Sequence, residues 1–514
     1  MAHRGMGKVW GINGPVLTIH TQDDKHFFVG ESVMVQLDDT KLSGEIIALS
    51  PGVATAQVYE STAGLSSGAV VQGLGQPMSV KMRPGIIGHI FDGIMRQLDA
   101  ETKSKWEVSI LVEKGKYLKS GAIFAEVEET PSIIYKAMVP LGIEGVVTSL
   151  VVDGEYASDD KILTIETSQG EKSLALSQTF PIRTARPVKK RCMVNRPLIT
   201  GQRVIDSFFP IAKGGAAAIP GGFGTGKTMT QHQLAKWCDA DLIVYIGCGE
   251  RGNEMTEVLE DFAKLIDPRT NQPLLSRTIL IANTSDMPVA AREASIYTGM
   301  AIAEGYRDMG YHVAVMADST SRWAEALREL SGRLEEIPAE EGYPAYLATR
   351  LSAFYGRAGY VENLNGTEGS ITIVGAVSPQ GADFSEPVTQ HTKRFVRTFW
   401  ALDRRLAYAR HYPAIDWMQS YSDYDLNGWY AENVNPKFAE RRAEVMRILQ
   451  EEHALLEIVK LIGTDSLAES QKKILAMAKI IREKFLQQNA YDPSDTYMPL
   501  AEQFALMEDI LWNT

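Results

Sequence analysis

The first 190 residues carry an apolar pattern with a period of two. Short runs in which apolar and polar residues alternate are separated by Gly, Asp and Pro, and they predict strands at 8–12, 16–20, 33–37, 44–49 and 55–59. Short strands at this spacing are typical of a small antiparallel barrel. Further strand-like runs predict a second β-rich region, at 123–127, 133–139, 145–154 and 162–165. We therefore expect two β-rich regions before the pattern changes.

Strands alternate with helices in the next part of the chain. The pattern predicts strands at 216–220, 242–247, 278–282 and 312–317, with helices that begin at Lys227, centre on Glu254 and span about 289–309. This alternation is typical of a mostly parallel sheet covered by helices on both faces. Ligands of such sheets bind at the carboxyl ends of the strands, so the residues that follow each strand are the candidates for chemistry.

The apolar period becomes helical after Pro436, and Gly463 is expected to end the first helix. One apolar face carries Val445, Ile448, Leu449, Leu455, Leu456 and Val459. The predicted organisation has four domains: a β-barrel at 1–70, a β-rich insertion at 71–188, a parallel α/β domain at 189–433 and a helical domain at 434–514. The basic, proline-containing segment 181–191 is expected to be a surface linker.

Composition narrows the classes of protein. A chain of 514 residues is too long for one core, which agrees with several domains. Its net charge of -12 argues against a nucleic-acid-binding surface, since such binding needs a clustered basic face. The three cysteines, Cys192, Cys238 and Cys248, lack metal-site spacing and leave an odd count, so we expect neither a zinc site nor a disulfide framework. No apolar run is long enough to predict a membrane span, and no secretory signal is evident, so any membrane association is expected through partners.

A glycine-rich stretch follows the predicted strand at 216–220. Residues 221–228 read Gly-Gly-Phe-Gly-Thr-Gly-Lys-Thr and fit the pattern G-x-x-x-x-G-K-[ST]. In this pattern glycines let consecutive backbone N–H groups face a phosphate, the helix N-terminus adds its positive dipole end, and the lysine neutralises phosphate charge. Thr228 supplies a hydroxyl for Mg²⁺. The alternative is a glycine-rich turn with a chance lysine, which the flanking strand and helix disfavour, and we interpret the stretch as a nucleoside-triphosphate site.

Charged residues follow two of the predicted strands. Glu250 comes after the strand at 242–247 and is a candidate for orienting the water that attacks the γ-phosphate. Asp318 ends a later strand, at a position where an acid can bind the hydration shell of Mg²⁺. Arg251 and Arg322 can reach phosphates as bidentate donors, and either can instead pair a surface acid.

Four motifs occur in this chain in a characteristic order. They are the loop at 221–228, Gly-Cys-Gly-Glu-Arg-Gly-Asn-Glu at 247–254, Ala-Asp-Ser-Thr-Ser-Arg-Trp-Ala-Glu-Ala at 317–326, and Pro-Ala-Ile-Asp-Trp-Met-Gln-Ser-Tyr-Ser at 413–422. Together they resemble the catalytic A subunit of V/A-type rotary ATPases, and the resemblance extends over nearly the whole chain. It implies a multidomain α/β fold with an N-terminal β-barrel, a β-rich insertion, a RecA-like P-loop nucleotide-binding domain with a parallel sheet, and a C-terminal helical domain.

The resemblance also implies the setting in which such a chain works. It implies a catalytic subunit that uses Mg²⁺ with ATP or ADP and alternates with a non-catalytic B subunit in a ring of three each. The ring drives a central shaft beside a peripheral stalk, coupled to proton or sodium-ion movement through a membrane sector. Such a chain is cytoplasmic and peripheral on the cytoplasmic face of a membrane, with no nucleic-acid partner. The transported ion and the direction, pump or synthase, do not follow from the sequence.

Motif positions imply roles for individual residues. Catalytic roles fall on Lys227, Glu250, Arg251 and Arg322. Nucleotide-binding positions are Gly221, Gly222, Phe223, Gly224, Thr225, Gly226, Lys227, Thr228, Met229, Asp318, Tyr412, Tyr491 and Tyr497, with Thr228 bound to Mg²⁺ directly and Asp318 through water. The tyrosines fall in regions where the family packs aromatic rings on adenine. Gly222 stands where the family usually has proline, which softens the turn. Thr225 replaces a cysteine of many eukaryotic relatives, so disulfide control of the loop cannot operate.

Two further departures bear on partners. The insertion before residue 185 and the tail after Tyr497 are shorter than usual in the family, which bears on stator and shaft contacts. Asp423 stands where B subunits carry an arginine finger, so the finger is expected from the partner.

Two rival functions stay open at this point. A hexameric RNA translocase would need a basic barrel with RNA-stacking aromatics, which the sequence does not show. A regulatory chain that only holds nucleotide normally lacks the lysine or the carboxylate, and this chain has both Lys227 and Glu250.

Overall fold

The computed structural model of the protein describes residues 5–21, 26–99, 104–463 and 467–512. The chain forms two compact units. The first comprises Met1–Cys192 with Asp241–Ile371, and the second comprises Met193–Ala240 with Thr372–Thr514. Each unit therefore draws on segments that lie far apart in the sequence.

A closed antiparallel barrel opens the first unit, with the strand order β1-β2-β5-β4-β3-β6. Its strands are β1 (Met6–Asn13), β2 (Val16–Thr21), β3 (Glu31–Leu37), β4 (Thr40–Ser50), β5 (Val53–Val58) and β6 (Val70–Pro77). Alternate side chains, such as Leu17 and Ile19 or Val33 and Val35, are buried in its core. The barrel prediction is confirmed. The sixth strand is an addition to the five predicted, because its two glycines and two glutamines weaken the apolar alternation.

The β-rich insertion is built mainly from two four-stranded antiparallel sheets, in the orders β10-β13-β15-β16 and β12-β11-β9-β14. The strands from residue 79 onward are β7 (Ser79–Met82), β8 (Ile90–Phe91), β9 (Lys105–Ile110), β10 (Tyr117–Leu118), β11 (Ile123–Thr130), β12 (Ile133–Met138), β13 (Gly145–Leu150), β14 (Gly154–Ala157), β15 (Leu163–Thr167), β16 (Gly170–Leu174), β17 (Gln178–Pro181) and β18 (Lys190–Cys192). The run predicted at 145–154 forms two strands rather than one, and these belong to different sheets.

The segment 181–191 is not the surface linker that its composition predicts. Arg183 donates to the buried carboxylates of Glu45 and Glu293 at 2.7–2.9 Å. The guanidinium of Arg186 pairs with Asp308 at 2.5 Å, and both of these side chains are about nine-tenths buried. The basic residues of this segment therefore neutralise buried acids that are remote in sequence.

The remaining elements follow in chain order. They are α1 (Arg203–Phe208), β19 (Ala216–Pro220), α2 (Lys227–Trp237), β20 (Leu242–Cys248), α3 (Gly252–Lys264), β21 (Ile266–Asp267), β22 (Gln272–Pro273), β23 (Thr278–Asn283), α4 (Val289–Asp308), β24 (His312–Asp318), α5 (Thr320–Arg333), α6 (Leu347–Tyr355), β25 (Gly359–Glu362), β26 (Glu368–Val377), α7 (Pro387–Phe395), β27 (Thr398–Phe399), α8 (Arg404–Tyr408), β28 (Tyr421–Ser422), α9 (Asn427–Asn433), α10 (Phe438–Ile462), α11 (Glu469–Ile480) and α12 (Leu500–Trp512). Short 3₁₀ segments and one π-helical segment, Ile481–Leu486, supplement them.

Parallel strands form the centre of the α/β part of the first unit, in the order β24-β20-β23-β8. All residues of β20 and β23 are buried, as is nearly every residue of α4. Strands buried on both faces read as continuous apolar runs, which is the pattern that predicts them here. The alternation of parallel strands with helices is confirmed.

In the second unit, β19 pairs in parallel with β27 and with the end of β26, and the antiparallel β28 lies beside β27. The unit ends in the predicted helical region, where α10 stops at Gly463 with a φ of +78°. Val445, Ile448 and Leu449 are buried as expected, whereas Leu456 is exposed. Across the part of the chain that the structure describes, no helix is long and apolar enough to cross a membrane.

Candidate active site

The phosphate loop of the second unit connects the buried strand β19 to helix α2. Gly224 and Gly226 adopt φ values of +75° and +91°, which side chains with a Cβ rarely adopt, so both positions favour glycine. The backbone N–H of Gly221 donates to the carbonyl of Val377 at 3.0 Å, which anchors the start of the loop to the neighbouring strand. The pattern G-x-x-x-x-G-K-[ST] thus forms a strand–loop–helix turn, the local structure that phosphate binding needs.

Two side chains brace this loop from within. The hydroxyl of Thr225 donates to the carbonyl of Gly222 at 2.8 Å. The ammonium of Lys227 donates to the carbonyls of Gly221 and Gly222 at 2.8 and 2.9 Å. The positive charge of Lys227 is therefore held inside the turn, and Thr228 stands in the first turn of α2.

The predicted adenine tyrosines occupy three different environments. The ring of Tyr412 lies 3.5 Å from the position that a Cβ on Gly226 would take, and it is 40% exposed. Tyr491 is almost fully exposed. Tyr497 packs against Trp237 with ring centroids 4.9 Å apart. Tyr412 is thus the tyrosine beside the loop.

The place of Tyr497 differs from the one expected for a nucleotide contact. Trp237 is the last residue of α2 and Lys227 is the first. At 1.5 Å of rise per residue, these ends lie about 15 Å apart along the helix. The Tyr497 ring therefore fills a structural position at the far end of that helix.

In the first unit, β20 and β24 bring two carboxylates to the same edge of the sheet. The two strands pair in parallel, with Gly247 opposite Asp318. Asp318 is buried, and one of its carboxylate oxygens, Oδ2, accepts a hydrogen bond from the hydroxyl of Tyr245 at 3.1 Å. Glu250 follows β20, and its carbonyl accepts from the N–H of Ser285 at 2.9 Å. Strand pairing is the reason that residues nearly seventy positions apart share this edge.

The carboxyl of Glu250 has a pKa raised to about 8. Burial is the main cause, followed by the negative charge of Asp318 and a hydrogen bond with Glu254. The positive charge of Arg322 acts in the opposite direction. Carboxyls with strongly raised pKa values are common at functional sites, because they can exchange a proton near neutral pH.

The two predicted arginines are both exposed. Arg322 pairs with Glu325 at 2.9 Å, and this hydrogen bond is the main cause of its raised pKa. Its Cβ lies 2.8 Å from the position that a Cβ on Gly249 would take, so Arg322 stands directly beside the Glu250 loop. Arg251 is the N-cap residue of α3, and its carbonyl accepts from the N–H of Met255. The first unit therefore brings Glu250, Asp318 and Arg322 together.

Sequence reasoning missed Tyr245 and Glu254 as members of this group. A tyrosine hydroxyl inside the apolar run Leu242–Cys248 was the available signal, because a buried hydroxyl needs a partner. Glu254 lies in the first turn of α3, four residues after Glu250. Neither contact with its carboxyl partner can be read without the strand order or the turn geometry.

Comparisons with known proteins agree with this architecture. Four family profiles match successive parts of the chain: the β-barrel domain of the ATP synthase alpha/beta family at residues 9–75, the barrel-sandwich domain of the same family's subunits at 96–183, the nucleotide-binding domain of that family at 201–422, and the C-terminal domain of V and A type ATP synthase at 427–513. The phosphate loop, Glu250 and Asp318 all lie within the third match.

Curated relatives are similar over nearly the whole chain. A V-type ATP synthase alpha chain of Clostridium tetani is 58% identical over 98% of this chain and 88% of its own length. One from Halothermothrix orenii is 52% identical over 98% of this chain and 89% of its own length. The corresponding chain of the A-type ATP synthase of Methanopyrus kandleri is 52% identical over 99% of this chain and 90% of its own length. With this identity, and with the fold and the strand-end site described above, the chain belongs to the family of catalytic alpha chains of V- and A-type ATP synthases.

Proposed function

We propose that the chain binds ATP with Mg²⁺ through the loop at 221–228 and that Glu250 orients the water in hydrolysis of the terminal phosphate, or its reverse. The observation that carries this proposal is the environment of Glu250, a half-buried carboxyl at a strand end with a pKa near 8. A group whose pKa lies close to the working pH is suited to general acid–base work. A chain that only retains nucleotide has no need of such a group.

The residues present fit Mg²⁺ that arrives with a nucleotide. Magnesium keeps several waters and takes one or two protein oxygen ligands beside the substrate phosphates. The hydroxyl of Thr228 is proposed as a direct ligand and the carboxylate of Asp318 as the holder of a bound water. The acids around Glu250 raise its pKa through repulsion between negative charges, and a nearby cation would offset that repulsion. When bound, Mg²⁺ neutralises charge on the β- and γ-phosphates.

The chain's own side chains are proposed to divide the remaining tasks. The loop N–H groups and Lys227 hold the β- and γ-phosphates, together with Gly221, Gly222, Phe223, Gly224, Thr225, Gly226 and Met229 as the surrounding loop. Arg251 and Arg322 bind phosphate oxygens. The ion pair of Arg322 with Glu325 is partly exposed on both sides, and exchanging such a pair costs little. Tyr412 and Tyr491 provide aromatic surface for the base, and Tyr497 supports their region by its packing on Trp237.

A partner is proposed to complete the site. Asp423 is an acid at the position where B subunits carry the arginine finger, so this chain would receive that finger from a neighbouring B subunit. The nearby Arg397 is not free to act in its place, because it donates to the carbonyl of Asp423 at 2.5 Å and lies over the ring of Tyr424 at 4.8 Å. These contacts support a ring in which catalytic and non-catalytic chains alternate.

The wider setting is also a proposal. The relatives are named as parts of V-type and A-type ATP synthases. We propose that this chain works in such a multi-subunit complex with shaft and stalk subunits, on the cytoplasmic face of a membrane whose partner sector moves protons or sodium ions. Whether sodium ions stimulate hydrolysis by the intact complex distinguishes the two ions.

The proposed function is tested by two variants in the assembled complex. Lys227→Ala should abolish productive MgATP binding, because the terminal phosphates lose their main positive charge. Glu250→Gln should still bind MgATP but hydrolyse it about 10²–10⁴-fold more slowly, since the amide keeps the size and loses the charge. Glu257→Gln, on an exposed position of the same helix as Glu254, is the control and should behave as the parent. Equal losses of binding and turnover in Glu250→Gln would contradict the assigned role.

A further inference from the structure

Arg404 lies against the phosphate loop, outside the motifs that define it. It is the first residue of α8 and is exposed. Its guanidinium atoms Nε and Nη2 lie 2.7 and 2.8 Å from the position that a Cβ on Gly222 would take. Real Cβ atoms do not approach other atoms this closely, so the contact exists only because residue 222 has no side chain. The glycine thus opens a place on the loop that an arginine occupies.

The charge of Arg404 has no anionic partner. Among the residues that the structure describes, the guanidinium makes no hydrogen bond and no ion pair. It lines a cavity of about 300 Å³ that also contains the carboxylates of Asp383, Asp403 and Asp416. An uncommitted carboxylate among these three would be the expected partner.

Each of the three carboxylates is already committed to another donor. Asp403 caps α8 by accepting from the N–H groups of Arg405 and Leu406, and it pairs with the Arg405 guanidinium at 3.3 Å. Asp383 accepts from the N–H and the hydroxyl of Ser385 at 2.9 and 2.7 Å. Asp416 accepts from the N–H of Met418 and the amide of Gln419. Arg404 therefore places an uncompensated positive charge on the loop.

We propose that Arg404 is an additional cation of the nucleotide site, which strengthens the binding of polyphosphates in proportion to their charge. The inference rests on the proposed function, because it takes the loop at 221–228 as the place where the phosphates bind. A planar guanidinium is weakly hydrated and carries several donors in a fork that matches phosphate oxygens. An exposed charge also acts through space, and this part of its effect weakens as salt screens it.

The alternative role for Arg404 is purely structural, as a cover that stiffens a loop softened by Gly222. The two roles predict different variants to be active. If the charge matters, Arg404→Lys retains most of the affinity and Arg404→Gln does not. If only the cover matters, the neutral glutamine serves about as well as the lysine.

Equilibrium binding of ATP and of ADP to the assembled complex tests the proposal at low and at high salt. Arg404→Gln should weaken ATP binding about three- to tenfold at low ionic strength, ADP binding by a smaller factor, and both by less at high salt. Arg405→Gln is the matched control, since its neighbouring guanidinium is mostly exposed and paired with Asp403, and it should bind as the parent. Equal factors for ATP and ADP, a loss in the control equal to that in Arg404→Gln, or parental binding by Arg404→Gln would overturn the proposal.

A second substitution tests the contact itself. Gly222→Ala adds a Cβ where the guanidinium lies, so it should displace Arg404 and weaken ATP binding in the parent. In the Arg404→Gln background, the added methyl should have a smaller effect, because the charge is already gone. Additive effects would overturn the contact as the source of the affinity. Failure of the parent to bind ATP would refute the proposed function, whereas normal ATP binding that depends on Lys227 but not on Arg404 would refute this inference alone.

Discussion

Replacing Glu254 by glutamine should move the titration of Glu250 to lower pH. Burial, the charge of Asp318 and the interactions with Glu254 together raise the pKa of Glu250 to about 8. Glu254→Gln removes one negative charge and turns the hydrogen-bonding partner into a neutral amide, which can donate to the ionised carboxylate. Both changes favour the ionised form. We expect the pKa to fall by about one unit, equivalent to about 1.4 kcal/mol of interaction, while burial and Asp318 continue to hold it above its ordinary value.

The effect on the rate follows from which form is active. A carboxyl that orients water must be ionised, and with a pKa of about 8 only about a tenth of it is ionised at pH 7. The parent's activity should therefore rise as the pH rises through about 8. With a pKa near 7, about half is ionised at pH 7, so the variant should be about fivefold faster there. Above about pH 9 both are ionised and the two rates should converge.

The measurement is kcat/KM for ATP hydrolysis by the assembled complex as a function of pH, because kcat/KM reports the groups of the free enzyme. Glu257→Gln, which changes an exposed acid on the same helix, should leave the midpoint where the parent has it. An unchanged midpoint in Glu254→Gln would refute the coupling between the two acids. A rate lowered at every pH would show instead that Glu254 itself takes part in the reaction.

Three further outcomes are expected. Tyr412→Ala should weaken ATP binding with little change in kcat, because stacking on a base contributes equally to ground and transition states, and Tyr412→Phe should restore affinity; unchanged affinity with slow turnover would remove Tyr412 from the adenine site. The isolated chain should hydrolyse ATP slowly, and adding the B subunit should raise the rate about 10³–10⁵-fold, since Asp423 cannot act as an arginine finger; full activity of the chain alone would contradict this. Gly201→Ala should lower the thermal midpoint of the second unit, because Gly201 has a φ of +70° and its Cβ would lie 1.9 Å from Cδ2 of Tyr497; a parental midpoint would show that the Tyr497 ring moves aside at no cost.

Much of the architecture was determined by local pattern. The period of two in the first 60 residues predicts the barrel strands, and the continuous apolar runs predict β19, β20, β23 and β24 within a residue or two. The phosphate loop was equally legible, because its glycines, lysine and threonine are contiguous in the chain. These features depend on neighbours within about twenty residues, so the sequence carries them directly.

Only the tertiary structure decided which distant residues meet. Tyr245 reaches Asp318 across 73 positions because two strands pair in parallel, and Arg183 reaches Glu45 across 138 because the barrel lies beside helix α4 in the first unit. Counting the basic residues of segment 181–191 predicted exposure, since composition does not reveal the buried acids that these residues neutralise. Arg404 is a similar case, because its contact with Gly222 depends on the fold of the second unit. Side-chain partners are set by strand order and packing, which local periodicity does not encode.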